Sequence, residues 1–252
     1  MQASNKNSGS VQDAIVAKMP HAVWRGDRMG AYRTATTSSG YPRLDEELPH
    51  HGWPRSTLIE LLLQQSGIGE MQVLRPALVG QGINRRVALI QPPHLPQAVT
   101  WQNWGLPLDS LLWLNATSTA DALWAAEQIL RSGCFSALVI WQNHVRAESL
   151  RRLHLAAQAA DTLFWMIRPL ATTPDASPAP LRIGLRPAPS GIEINMVKRR
   201  GPQSPHSFFL RLEGLPVGLP VTQTPTASFL HAPLDQRTPA ATAPRNVASV
   251  LV

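Results

Sequence analysis

Residues 58–72, LIELLLQQSGIGEMQ, come nearest to a chemistry-bearing motif in this chain. A working phosphate-binding loop reads G-x-x-x-x-G-K-[ST]. Its glycines let backbone N–H groups cradle phosphate, its Lys reaches the β- and γ-phosphates, and its Ser/Thr hydroxyl holds Mg²⁺. Laid on that pattern, Gln64 stands at the first Gly and Gly69 at the second, with Gly67 between them. Glu70 takes the place of the Lys and Met71 that of the Ser/Thr. A carboxylate sits where a phosphate needs a cation, and a thioether where Mg²⁺ needs a hydroxyl. Two unit charges about 4 Å apart interact by roughly 4 kcal/mol near a protein surface. Here that interaction repels a nucleotide. The expectation is a loop that carries no cofactor and hydrolyses nothing.

Two basic groups are the other candidates. Lys198, Arg199 and Arg200, followed by Gly201, form the longest run of cations in the chain. They suit either contact with DNA phosphates or an acidic partner, or a solvated turn. Arg146, Arg151 and Arg152 belong to one expected helix, as a solvated basic face or a second partner contact. Trp101, Trp104 and Trp113 cluster in sequence and suit either core or interface. The histidines lack metal-ligand spacing, and no Ser/His/Asp set stands out.

Composition narrows the class. The chain has 252 residues, 44% of them hydrophobic, enough for one large domain with tails. The net charge is +7 with only 15% charged residues, which permits nucleic-acid or acidic contacts without demanding them. No apolar run approaches the ~20 residues of a membrane-spanning helix. The first 14 residues are polar and lack the apolar core of a secretion signal. The single cysteine, Cys134, fits a reducing, cytoplasmic setting, and its apolar surroundings predict a buried side chain.

The elements that must position these residues follow from periodicity and punctuation. Residues 1–36 read as a flexible segment, with a helical turn or two at 11–19. Strands are expected at 56–63, 85–91, 111–114, 137–141 and 162–167. Between them come helices at 70–82, 97–104, 119–131 and 146–160. Ser118, with Asp121 three residues on, should cap the third helix, and Gly133 should end it. Strands alternating with helices imply an α/β fold whose mostly parallel sheet is flanked by helices. Residues 171–180 read as a mobile loop. Strands at 181–185, 191–198 and 207–213, without helices between them, predict an antiparallel extension. Residues 214–252, rich in Pro, Thr and Ala, read as a disordered tail. Its apolar last residues suit either strand addition to a partner or a frayed end.

In this order the elements of residues 37–213 resemble a RecA-like core. Within it they resemble the ImuA group of translesion-synthesis accessory proteins and the related SulA cell-division inhibitors. The segments that carry the resemblance are TTSSGYPRLDEELPHHGWPRSTLIEL, GLPLDSLLWL, SGCFSALVIW, AAQAADTLFWMIRP and IEINMVKRRG. The resemblance also aligns the family's catalytic Glu near Pro93 and its Mg²⁺-binding Asp with Trp141. Nucleotide chemistry is thus lost at Gln64, Glu70, Met71, Pro93 and Trp141.

The resemblance implies a cytoplasmic, non-catalytic adaptor in SOS-induced translesion synthesis. Its partners would be an ImuB-like inactive Y-family polymerase homologue, an alternative replicative-type polymerase subunit and the RecA filament, with Lys198–Arg200 as the contact. The alternative it implies is a SulA-type inhibitor that binds the tubulin-like division GTPase.

Overall fold

In a computed structural model of the chain, residues 35–81, 86–202 and 206–212 are described. They belong to the first of two units, residues 1–217 and 218–252. The turns expected at 11–19 and most of both tails lie outside the described residues.

An eight-stranded sheet organises the first unit. Its strands are β3 (Thr57–Leu63), β4 (Arg86–Ile90), β5 (Leu111–Leu114), β6 (Phe135–Trp141), β7 (Leu163–Pro169), β8 (Leu181–Ala188), β9 (Gly191–Lys198) and β10 (Phe208–Arg211). Their spatial order is β10-β9-β8-β3-β7-β6-β4-β5. The strands from β8 to β5 run parallel, while β8-β9 and β9-β10 are antiparallel. A small ribbon pairs β1 (Thr36–Thr37) with β2 (Trp53–Pro54). The helices are α1 (Pro42–Glu47), α2 (Glu70–Val79), α3 (Ala98–Asn103), α4 (Thr119–Ser132) and α5 (Ala147–Gln158).

The central strands are buried along nearly their whole length and are mostly apolar, because both faces are covered. Alternation assigns each side chain to a face. Ile59, Leu61, Val139 and Trp165 pack with Leu74 and Leu78 of α2. Leu58, Leu138, Ile140 and Phe164 pack with Ala122 and Ala126 of α4 and Leu150 and Leu153 of α5. At about 25 cal/mol per Å² of buried apolar surface, these two layers supply the main driving force for folding.

The expected caps are present. Ser118 Oγ accepts from the Asp121 amide at 3.1 Å, and Gly133 closes α4 at φ +65°. One glycine is dictated by packing. Gly40 has φ +78°, and a Cβ there would meet Pro76 Cβ of α2 at 2.3 Å.

Two local expectations are corrected. Cys134 is exposed, because it follows the left-handed Gly133 in the turn and precedes the first residue of β6. The 171–180 segment is pinned, not loose: its backbone carbonyls and Ser177 bind a buried charge cluster described below.

Candidate functional site

The loop between β3 and α2 opens at the carboxyl edge of the parallel sheet, where open α/β sheets place ligands. Gly67 and Gly69 adopt φ +81° and +112°, so their amides turn inward as an anion-binding nest. The nest is already filled. Both carboxylate oxygens of Glu70 accept from the Gly67 amide, at 3.0 and 3.1 Å, and one also accepts from Gly69 at 3.2 Å. Glu70 is 4% exposed. The residue expected to repel a phosphate instead stands in for one.

Clefts lie on both sides of this loop. One, of about 360 Å³, runs between Gly67–Met71 and the segment from Pro92 to Trp104. Its walls include Met71, Leu95, Trp101, Trp104 and Trp141. The other, of about 600 Å³, is lined by amides: Gln64, Gln65, Gln91, Gln142 and Asn143. Pro93 and Trp141, aligned by resemblance with lost catalytic positions, line both clefts. The fold therefore brings Gln64, Glu70, Met71, Pro93 and Trp141 together around one loop. Gln91 holds the second cleft in shape. It sits at φ +51°, an uncommon conformation for a residue with a side chain. Its amide group donates to the Ala116 carbonyl at 2.8 Å and accepts from Gln142.

The basic candidates separate. Lys198, Arg199 and Arg200 do not form one patch. Lys198 Nζ donates to the Ser177 carbonyl at 3.0 Å. Arg199 reaches back to α1, donating to the Glu47 carboxylate and carbonyl, both at 2.7 Å. Arg200 is exposed and makes no ion pair among the described residues. On α5, Arg152 pairs with Glu127 of α4 at 2.9 Å, while Arg151 is exposed. Arg146 is the residue before α5 rather than part of it. The tryptophans divide too: Trp101 is buried, Trp104 half-buried, and Trp113 is 44% exposed on the edge strand β5.

Sequence reasoning missed a buried charge cluster beneath the second cleft. Parallel register sets Glu60 of β3 opposite Arg182 of β8. Arg182 Nε donates to Glu60 Oε2 at 2.6 Å, and Arg168 Nη1 to Oε1 at 3.3 Å. Ser177 Oγ also donates to Glu60, at 2.8 Å. Arg168 further meets Asp175 at 3.1 Å. The signal was present. A charged residue in the middle of an apolar strand needs an opposite charge on a neighbouring strand.

His154 of α5 lies behind β3, where Nδ1 accepts from the Leu58 amide at 3.4 Å. Burial, and secondarily the Lys198 charge, lower its pKa below the ordinary 6.5.

No family model matches the chain. The cell division inhibitor SulA of Photorhabdus laumondii is 32% identical over 115 residues, 45% of this chain and 65% of that protein. The cell division inhibitor SulA of Pectobacterium carotovorum is 34% identical over 106 residues, 41% of this chain and 63% of that protein. Over these stretches the chain is similar to SulA proteins. It spans just under two thirds of the length of these relatives. The crystal structure of SulA from Pseudomonas aeruginosa covers 46% of this chain and 99% of its own, at 26% identity and a TM-score of 0.38. No helix among the described residues is long and apolar enough to cross a membrane.

Proposed function

We propose that this chain is a non-catalytic inhibitor of cell division of the SulA type, acting in the cytoplasm by binding the tubulin-like division GTPase after DNA damage. The observation that carries the reading is the 32% identity to a SulA protein over 115 residues. The Glu70 carboxylate in the Gly67–Gly69 nest supports the non-catalytic part. A nest filled by its own side chain has no room for a β-phosphate. The test is expression in a rod-shaped bacterium, together with pelleting of the purified division GTPase. Filamentous cells and less pelleted polymer are expected. Normal division with unchanged pelleting overturns the reading.

A second reading, the ImuA-type adaptor, draws support from the strand order. The loop-bearing β3 lies between β7 and β8, and three further elements continue the sheet past it to β10. This arrangement is compatible with a RecA-like core, and the matched stretch takes in less than half of the chain. On this reading the partners are an ImuB-like polymerase homologue, a replicative-type polymerase subunit and RecA. Affinity capture from damage-treated cells separates the two. Recovery of the division GTPase favours the inhibitor, and recovery of polymerase-like proteins favours the adaptor.

A further inference from the structure

We infer that the apolar cleft beside the closed loop is a docking pocket for a bulky apolar side chain of a protein partner, with a carboxylate next to it in the partner's sequence. The inference rests on the reading of this chain as a partner-binding protein.

The lining dictates the chemistry. No Lys or Arg lines the cleft. Its one carboxylate, Glu70, is held by the Gly67 and Gly69 amides. The occupant of the cleft itself is therefore neutral. Four buried indole N–H groups lack an acceptor among the described residues. Two belong to Trp53 and Trp165, which meet edge to face in the core. The other two belong to Trp101 and Trp141, 3% and 9% exposed, and both of these line the cleft. Their indole nitrogens are closed to water, so what these two side chains offer an occupant is apolar ring surface.

The rim extends the argument. Leu95, 70% exposed, stands at the mouth, and Val99, 67% exposed, lies on the adjoining helix α3. Large apolar side chains left in water beside an apolar cleft mark an interaction surface. Arg75 lies over Trp104, 5.8 Å from the ring centroid, and has no ion-pair partner among the described residues. It supplies the charge that a neighbouring carboxylate would meet. About 360 Å³ accommodates an aromatic anchor of the kind that dominates interface energetics.

The test is titration of ¹⁵N-indole-labelled full-length protein with three probes: N-acetyl-phenylalaninamide, N-acetyl-phenylalanine and inorganic phosphate. Both aromatic probes should shift the Trp101, Trp104 and Trp141 indole resonances in a saturable way. The carboxylate form should bind about threefold tighter, in line with one exposed ion pair. Arg75→Gln should abolish that preference. Thr100→Trp, which fills the cleft, should weaken both by about tenfold or more. Leu95→Glu, at an exposed site, repeats the test should Thr100→Trp fold poorly. Absence of a saturable shift, or shifts unchanged by these variants, overturns the pocket, as does tight phosphate binding at the same resonances. Division assays on the same variants keep the two readings apart. Probe binding without division inhibition sinks the inhibitor and leaves the pocket. Inhibition by wild type and Leu95→Glu alike, with no probe binding, does the reverse.

Discussion

Glu70 and Gly67 are joined through both oxygens of one carboxylate, each accepting from the same backbone amide, at 3.0 and 3.1 Å. The arrangement turns the amides of the loop between β3 and α2 inward onto the side chain of Glu70. The donors that would hold a β-phosphate are spent on a side chain one step into the following helix. Negative charge at a helix N-terminus is itself favourable, so α2 gains a stabilising anion without a ligand.

Glu70→Ala should therefore open the nest. The lost charge-assisted hydrogen bonds predict a destabilisation of about 1–3 kcal/mol, or roughly 2–10 °C in Tm for a domain of this size. Millimolar sulfate should recover part of the loss in the variant and leave wild type unmoved. Thermal unfolding with and without sulfate checks this. An unchanged Tm would mean that β3 and α2 hold the loop without help.

The Glu60 cluster should be far more sensitive. Glu60→Gln leaves Arg168 and Arg182, 1% and 7% exposed, facing each other without their shared carboxylate. Removing one partner of a buried ion group costs about 3–5 kcal/mol. Urea unfolding should show that loss. The 171–180 segment, its Ser177 released from Glu60 and its carbonyls from a displaced Arg182, should become an early site of limited proteolysis.

His154 makes stability depend on pH in a stated direction. Its pKa is lowered by folding, so the folded chain takes up this proton less readily than the unfolded chain. Its contribution is whole above the unfolded value near 6.5 and is lost as pH falls through the folded value. His154→Gln should flatten the dependence of the urea midpoint on pH below about 6.5. Lys198→Met should raise the His154 pKa toward its unfolded value and so reduce the loss, with the pKa readable by NMR titration of the ring. A His154 pKa that stays put in Lys198→Met would exclude the charge as a cause.

Arg199 and Arg200 should separate by phenotype despite being adjacent. Arg199→Ala breaks the link from the end of β9 to α1, and a double-mutant cycle with Glu47→Gln should report a coupling of about 1 kcal/mol. Arg200→Ala should leave stability within about 0.5 kcal/mol, yet weaken any anionic partner that this turn contacts. Equal effects of both changes on stability would contradict the division of roles.

Much of the architecture was legible because it repeats. The strands at 111–114 and 191–198 carry the bounds expected of them, and α4 is framed by its Ser118 cap and Gly133 stop. The antiparallel end of the sheet followed from strands with no helix between them. Burial of Cys134 was misjudged because an apolar neighbourhood in sequence does not reveal a left-handed turn in between. The 171–180 segment looked loose because its partners, Glu60 and Arg182, lie on two strands brought side by side only by folding.

What the sequence determined by itself is local. Glu70 and Met71 put a carboxylate and a thioether at the start of α2 whatever surrounds them, and alternation and caps set the elements. What the tertiary structure decided is every relation between distant residues. It set Glu60 against Arg182 through parallel register, and drew Arg199 from the Lys198–Arg200 run onto Glu47. It also brought Trp101 and Trp141 to one cleft beside the closed nest. Pairing across strands depends on sheet order, and no spacing along the chain encodes sheet order directly. Glu70 belongs to both levels. Its charge was readable in the sequence. Its place inside the nest depended on two glycines at positive φ, which only the folded loop displays.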